Sequence, residues 1–157
     1  MLNIKVQKLS NTAIIPTYGS NQSACFDLYA DIVGTQDIDI GMDNYRLAIP
    51  PHQTVKISTG LAFQPPNGYC GLIFARSGLS SKEGLRPANC VGVCDEDYTG
   101  EYIVALHNDS EETRIVKHGD RIAQLVLQKR YDMDFEEVEE LEETERGAGG
   151  FGSTGKR

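Results

Sequence analysis

Residues 102–127 read Y-I-V-A-L-H-N-D-S-E-E-T-R-I-V-K-H-G-D-R-I-A-Q-L-V-L, and their punctuation decides the fold class. Three short apolar or alternating runs, Tyr102–His107, Thr113–Val116 and Ile122–Leu127, are separated by the turn clusters H-N-D-S at 107–110 and H-G-D at 118–120. Runs of this length bounded by Gly, Asn and Asp mark strands. The same pattern extends toward the N-terminus. Strand-like runs occur at Ile4–Leu9, Phe26–Ala30, Arg46–Ile49, Thr54–Ile57 and Tyr69–Ala75, punctuated by P-P at 50–51, P-P-N-G at 65–68 and D-Y-T-G at 97–100. Many short strands at regular spacing predict an all-β sandwich, jelly roll or barrel. Leu79–Glu83 is the one helix candidate, and there are no heptads and no repeat. Phe135, Val138 and Leu141 recur every three residues, which suits a helix over 132–143. A final strand running into the C-terminal glycines is the preferred expectation there.

At 157 residues the chain is expected to form one domain. The N-terminus M-L-N-I-K-V-Q-K-L-S lacks the apolar core of a signal peptide, and no stretch approaches the ~20 apolar residues of a membrane span. A soluble, intracellular protein is the resulting expectation. Cys25, Cys70, Cys90 and Cys94 form no C-x-x-C pair, so buried free thiols are expected rather than a zinc site. The net charge of −8 is local in origin. Residues 132–145 carry nine acidic and no basic side chains; with those set aside, 14 acidic residues face 15 basic ones. A near-neutral body argues against nucleic-acid binding and leaves room for a local anion site.

Four segments carry groups with chemical potential. The C-terminal R-G-A-G-G-F-G-S-T-G-K-R, 146–157, interleaves glycines with a ring, hydroxyls and cations. That mixture suits a nucleotide polyphosphate, because glycine backbones let N–H groups crowd an anion. Gly150-x4-Gly155-Lys156 imitates a P-loop, but Arg157 replaces the Ser or Thr and no strand leads into it. A-R-S-G-L-S-S-K, 75–82, follows a strand with an Arg, three hydroxyls and a turn opening a short helix, whose N-terminus would favour anions. G-V-C-D-E-D-Y-T-G-E, 92–101, packs three carboxylates and a tyrosine into four residues, with Asp95 and Asp97 expected on one strand face. G-D-R-I-A-Q-L, 119–125, is a turn feeding a strand that Gln124 interrupts. His52, His107 and His118 show no partner in the sequence. Taken singly, each segment is also an ordinary turn.

Together and in this order, with A-C-F-D-L-Y-A-D at 24–31 ahead of them, the segments resemble the homotrimeric dUTPase family over nearly the whole chain. The resemblance implies a jelly-roll-like β-domain over 1–145 and a flexible C-terminal arm over 146–157 that closes over a neighbouring subunit's site. It implies Mg²⁺-dependent hydrolysis of dUTP to dUMP and pyrophosphate, limiting uracil in DNA and supplying dUMP for dTMP synthesis. It implies a cytoplasmic homotrimer, nuclear in some eukaryotic or viral settings, with no nucleic-acid or membrane partner. By position, Asp95 matches the carboxylate that activates water, Asn89 the uracil-recognising hairpin and Tyr98 the ring under deoxyribose. Arg76, Ser77, Gly78 and Gln124 match phosphate-binding positions. Arg146 matches the γ-phosphate arginine, Phe151 the ring over uracil, and Gly152, Ser153 and Thr154 the tail's other substrate contacts. Asp27 matches a carboxylate that reaches the metal through water. Cys25-Phe26, Cys94 and the long 34–45 segment depart from the family pattern. The nearest rivals are a dCTP deaminase, which shares the fold, and a nucleotide-gated binding module.

Overall fold

The computed structural model describes residues 2–32 and 45–150. Eleven strands appear among them: β1 (Lys5–Lys8), β2 (Phe26–Tyr29), β3 (Arg46–Ile49), β4 (Thr54–Ile57), β5 (Leu61–Gln64), β6 (Tyr69–Phe74), β7 (Leu85–Pro87), β8 (Val91–Cys94), β9 (Val104–Asn108), β10 (Arg114–Lys117) and β11 (Arg121–Lys129). They form a four-stranded sheet β2-β11-β6-β8, a three-stranded sheet β4-β9-β7, and the two-stranded ladders β1-β5 and β10-β3. All the pairings are antiparallel. The result is the expected jelly-roll-like β-fold.

The opening stretch folds as its punctuation dictates. Val104, Leu106 and Asn108 alternate inward along β9, and all three are buried. Asn108 is fully buried yet completely satisfied. Its Nδ2 donates to the carbonyls of Ile49 (2.9 Å) and Glu112 (2.8 Å), and its Oδ1 accepts from Ser110 N (2.9 Å) and Oγ (2.7 Å). A buried amide is tolerated only when its donors and acceptor are met, and here the same bonds build the turn that reverses the chain. The second turn uses Gly119 at φ +80°. Asp120 Oδ2 accepts from Lys117 N at 2.7 Å, and the turn is tied to the end of β2 by paired bonds between Ala30 and residues 119–120. The core gathers Leu28, Ile49, Leu61, Tyr102, Leu106, Ile122 and Leu125 between the sheets.

Three strands carry no alternation signal. β5 is the continuous run L-A-F, buried on both faces; β7 is three residues ending in Pro87; β8 contains Gly92. Conversely, the strand expected over 132–143 does not form, nor does a helix. A strand exists only beside a partner, and among the described residues no neighbouring strand runs alongside it. Phe135 is left 94% and Leu141 87% exposed. Leu79–Glu83 does form one short π-helical turn, ended by Gly84 at φ +70°. One turn is too short for a useful helix dipole, so the anion affinity expected of its N-terminus has no basis.

The four thiols are free as expected, but none is fully buried: Cys90 is exposed and the others half-buried. The histidines are also partnered. His52 Nε2 sits 3.2 Å from Glu111, His107 Nδ1 2.9 Å from Thr54 Oγ1, and His118 Nδ1 3.5 Å from Asp31. Among the described residues no helix is long and apolar enough to cross a membrane.

Asp31 is buried at 4% exposure and accepts hydrogen bonds from Ser10 and Thr12, closing the 10–13 loop against the β4–β5 corner. Gly60 at that corner has φ +65°, and a Cβ there would run into Asp31 Oδ2 and the Ala13 methyl. Gly60→Ala therefore combines backbone strain with a clash. We expect it to cost at least ~2 kcal/mol, read as a lowered thermal midpoint; an unchanged midpoint would contradict the packing described.

Candidate functional site

β11 places the first group of site residues. Gln124 lies opposite Asp27 of β2 on one edge and opposite Phe74 of β6 on the other. Directly opposed residues share a face, and side chains two apart along a strand point the same way. Asp27, Gln124 and Phe74 therefore share one face, and Arg76, two residues past Phe74, continues it. Asp27 is only 7% exposed. Its Oδ1 accepts from Arg76 Nε at 2.9 Å and its Oδ2 from Arg121 Nη1 at 3.2 Å; Arg76 Nη1 also donates to the Arg121 carbonyl at 3.1 Å. A carboxylate taken from water needs such partners. With two guanidiniums on one carboxylate, a net positive charge remains.

Ser77 and Gly78 continue this edge into solvent. Gly78 has an ordinary φ of −63°, and a Cβ added to it would meet nothing within 4 Å. Neither backbone conformation nor internal crowding requires glycine there. The position leaves clear space two residues beyond Arg76.

The second group sits at the other end of the sheet. β8 stops at Cys94, so Asp95 and Asp97 belong to a turn rather than to a common strand face; Tyr98 N closes it by donating to Asp95 O at 3.2 Å. Asp95 and Asp97 are exposed, whereas Glu96 is half-buried and paired with Arg130 at 3.2 Å. These residues line a cavity of about 560 Å³ with Gln64, Pro65 and Asn67. The Tyr98 hydroxyl donates to Glu101 O at 3.0 Å, and its ring lies 6.0 Å from that of Tyr102, which packs 4.8 Å from Phe63. The Tyr102 hydroxyl is buried without a hydrogen-bond partner of normal geometry, the Cys94 sulfur being its polar neighbour. Burial pushes the Cys94 thiol up to about 11 and the Tyr102 phenol further up. The layer behind Asp95 is therefore uncharged.

Asn89 lies in the β7–β8 turn, exposed, with its amide folded back toward Gly92. Arg146 is exposed, its Nε donating to Gly149 O at 2.8 Å. Phe151, Gly152, Ser153 and Thr154, like most of the 34–45 segment, lie outside the described residues.

The structure thus gathers Asp27, Arg76, Ser77, Gly78 and Gln124 in one place and Asp95 with Tyr98 in another. Phe74 faces Val91 and Gly71 faces Cys94 across the β6–β8 ladder. Asp95 consequently lies level with Cys70, six residues of extended chain from Arg76, a separation of about 20 Å along the strand at ~3.3 Å per residue. Arg121 had no role in the sequence-based assignment, although the G-D-R-I-A-Q-L segment contains it. Among the described residues no three His, Cys, Asp or Glu side chains cluster to hold a metal.

A family model described as dUTPase matches residues 11–155. Deoxyuridine 5'-triphosphate nucleotidohydrolase of Desulfitobacterium hafniense (strain DSM 10664 / DCB-2) is 46% identical over 142 residues, covering 90% of this chain and 87% of that protein. The enzyme of the same name from Nautilia profundicola is 42% identical over 155 residues, covering 99% and 100%. Among solved structures, a Staphylococcus bacteriophage 80alpha dUTPase mutant with dUpNHpp superposes with a TM-score of 0.78 at 27% identity, covering 98% of both chains. The dUTPase of S. aureus phage phi11, solved with a coordinated structural Mg(II) ion, gives 0.75 at 23% identity over 90% of this chain and 99% of that one. The matched segments are those that carry the two residue groups described above, and the chain is an enzyme of the dUTPase family.

Proposed function

We propose that the chain hydrolyses dUTP to dUMP and pyrophosphate at sites shared between copies of itself in a trimer. The separation of Asp95 from Arg76 carries this proposal. The phosphate-binding groups and the water-activating carboxylate stand at opposite ends of β6, so one ligand meets both only if a second copy supplies one set. The exposed Phe135 and Leu141, unusual apolar surface for a lone chain, support further contacts through the 132–145 segment. The arm 146–157 would then reach a third copy's site.

In such a site Arg76, Ser77, Gly78 and Gln124 bind the phosphates. Guanidinium forks suit phosphate oxygens, and the bare Gly78 lets phosphate approach the backbone closely. Asn89 and the adjoining backbone read the pairing edge of uracil. Tyr98, held by its hydroxyl and backed by Tyr102, offers a flat face to deoxyribose that leaves no room for a 2'-hydroxyl. Arg146 meets the γ-phosphate, Phe151 covers the base, and Gly152, Ser153 and Thr154 add donors.

Asp95, exposed and with no arginine partner among the described residues, orients a water for in-line attack at the α-phosphorus and takes its proton. A water oxygen–phosphorus bond forms as the bond to the bridging oxygen breaks, and pyrophosphate departs. The donor set fits magnesium in one manner only. Both Asp27 oxygens accept from arginines, so a magnesium ion would be held mainly by the substrate phosphates and would meet Asp27 through water. When bound, it offsets negative charge building on the phosphates. A cytoplasmic enzyme, nuclear in some hosts, accords with this role.

Product analysis across dUTP, dCTP, dTTP, dATP and UTP tests the assignment. We expect dUMP and pyrophosphate from dUTP with Mg²⁺ and little turnover of the others. Release of dUTP from dCTP would instead establish a deaminase, and no pyrophosphate from dUTP would leave a binding module. Asp95→Asn is expected to keep the affinity for dUTP while turnover falls by on the order of 10² or more. Weakened binding at normal turnover would refute the role of Asp95.

A further inference from the structure

We propose that Arg121 is a second phosphate-binding residue of this site, aimed there by a β-bulge at the start of β11. The inference rests on the dUTP-hydrolysing function proposed above. In an unbroken strand, residues 121 and 124 are separated by an odd number and point to opposite faces. The β11–β2 register breaks that parity: Arg121 lies opposite Tyr29, Ala123 opposite Leu28 and Gln124 opposite Asp27. Between Arg121 and Ala123 β11 advances two residues while β2 advances one, which makes Ile122 the extra residue. Burial records the same slip, because Ile122 and Ala123 are consecutive and both buried, at 1% and 0%. Arg121 thereby shares a face with Tyr29, Asp27, Gln124 and Arg76. Bulges of this kind re-aim side chains beside functional sites.

The hydrogen bonds give Arg121 something to offer a ligand. Arg76 spends Nε on Asp27 and Nη1 on the Arg121 carbonyl. Arg121 spends only Nη1, also on Asp27; its Nε and Nη2 have no partner among the described residues. Its side chain is 51% exposed against 24% for Arg76, which makes it the more open cation of the pair. One guanidinium already neutralises Asp27. A second beside it adds like-charge repulsion that a structural ion pair does not need, and that a polyanion between the two would relieve. Asp27 acts as the brace that holds both forks toward one ligand.

The test compares wild-type protein, Arg121→Gln, Arg121→Lys and the remote surface control Lys56→Gln. Each is assayed for dUTP turnover and for inhibition by inorganic tripolyphosphate and by deoxyuridine. We expect Arg121→Gln to raise KM for dUTP and weaken tripolyphosphate about tenfold, on the scale of one charge-assisted hydrogen bond. Deoxyuridine inhibition should stay within about twofold, and Lys56→Gln should match wild type. Arg121→Lys, which keeps the charge and loses the fork, is expected to fall between, and it carries the test if the Gln variant does not fold. Equal weakening of tripolyphosphate and deoxyuridine, or no change in either with active wild-type enzyme, would overturn the role of Arg121. Wild-type protein that neither cleaves nor binds dUTP would overturn the proposed function itself, and the inference with it.

Discussion

Both edges of β11 are hydrogen-bonded, and the placement of the phosphate-side residues follows from that double pairing. On one edge the ladder with β2 sets Asp27 opposite Gln124; on the other the ladder with β6 sets Phe74 opposite the same residue. Because side chains alternate along each strand, a one-residue slip in either ladder would send Asp27 or Arg76 to the opposite face. The apolar partners Leu28, Ile73 and Leu125, each no more than 5% exposed, lock the register from within. Core packing on one face of this sheet is therefore what aims the charged groups on the other.

The charged cluster is in turn conditioned by burial. Asp27 is nearly excluded from water, and stripping one partner from a fully buried ion pair costs roughly 3–5 kcal/mol. Arg76 and Arg121 remain partly exposed, so screening reduces what their pairs contribute here. Their value is positional. A carboxylate that cannot move holds two guanidiniums whose remaining donors face outward, and a phosphate ligand meets donors already oriented. Asp95 has the opposite environment: an exposed turn, backed by an uncharged layer of Cys94, Tyr102 and Phe63, with its arginine neighbour engaged by Glu96.

Much of this was legible in the sequence because it is local. The β9 alternation, the Asn108 turn and the Gly119-Asp120 turn are written in consecutive residues, and the motifs that show the family are contiguous. β5, β7 and β8 were not legible. A strand buried on both faces has no alternation, three residues give no period, and glycine in β8 reads as a break. Residues 132–143 misled for a different reason. Their apolar spacing signals burial against something, and among the described residues no strand receives it. The motifs holding the candidate site residues are contiguous, but the division of those residues into two groups follows from the β6–β8 register, which joins residues about twenty apart in sequence. The bulge at Ile122 likewise exists only in the pairing with β2, so the direction of Arg121 cannot be read from consecutive residues.

That division makes the shared site the central claim. Chains carrying Asp95→Asn and chains carrying Arg76→Ala, each inactive alone, can be unfolded together and reassembled. If Arg76 and Asp95 of different copies form each site, random trimers contain about a quarter of intact sites by symmetry, and activity should return to roughly that fraction of wild type. If every site were built within one chain, every chain would stay defective, and no activity on mixing would contradict the account.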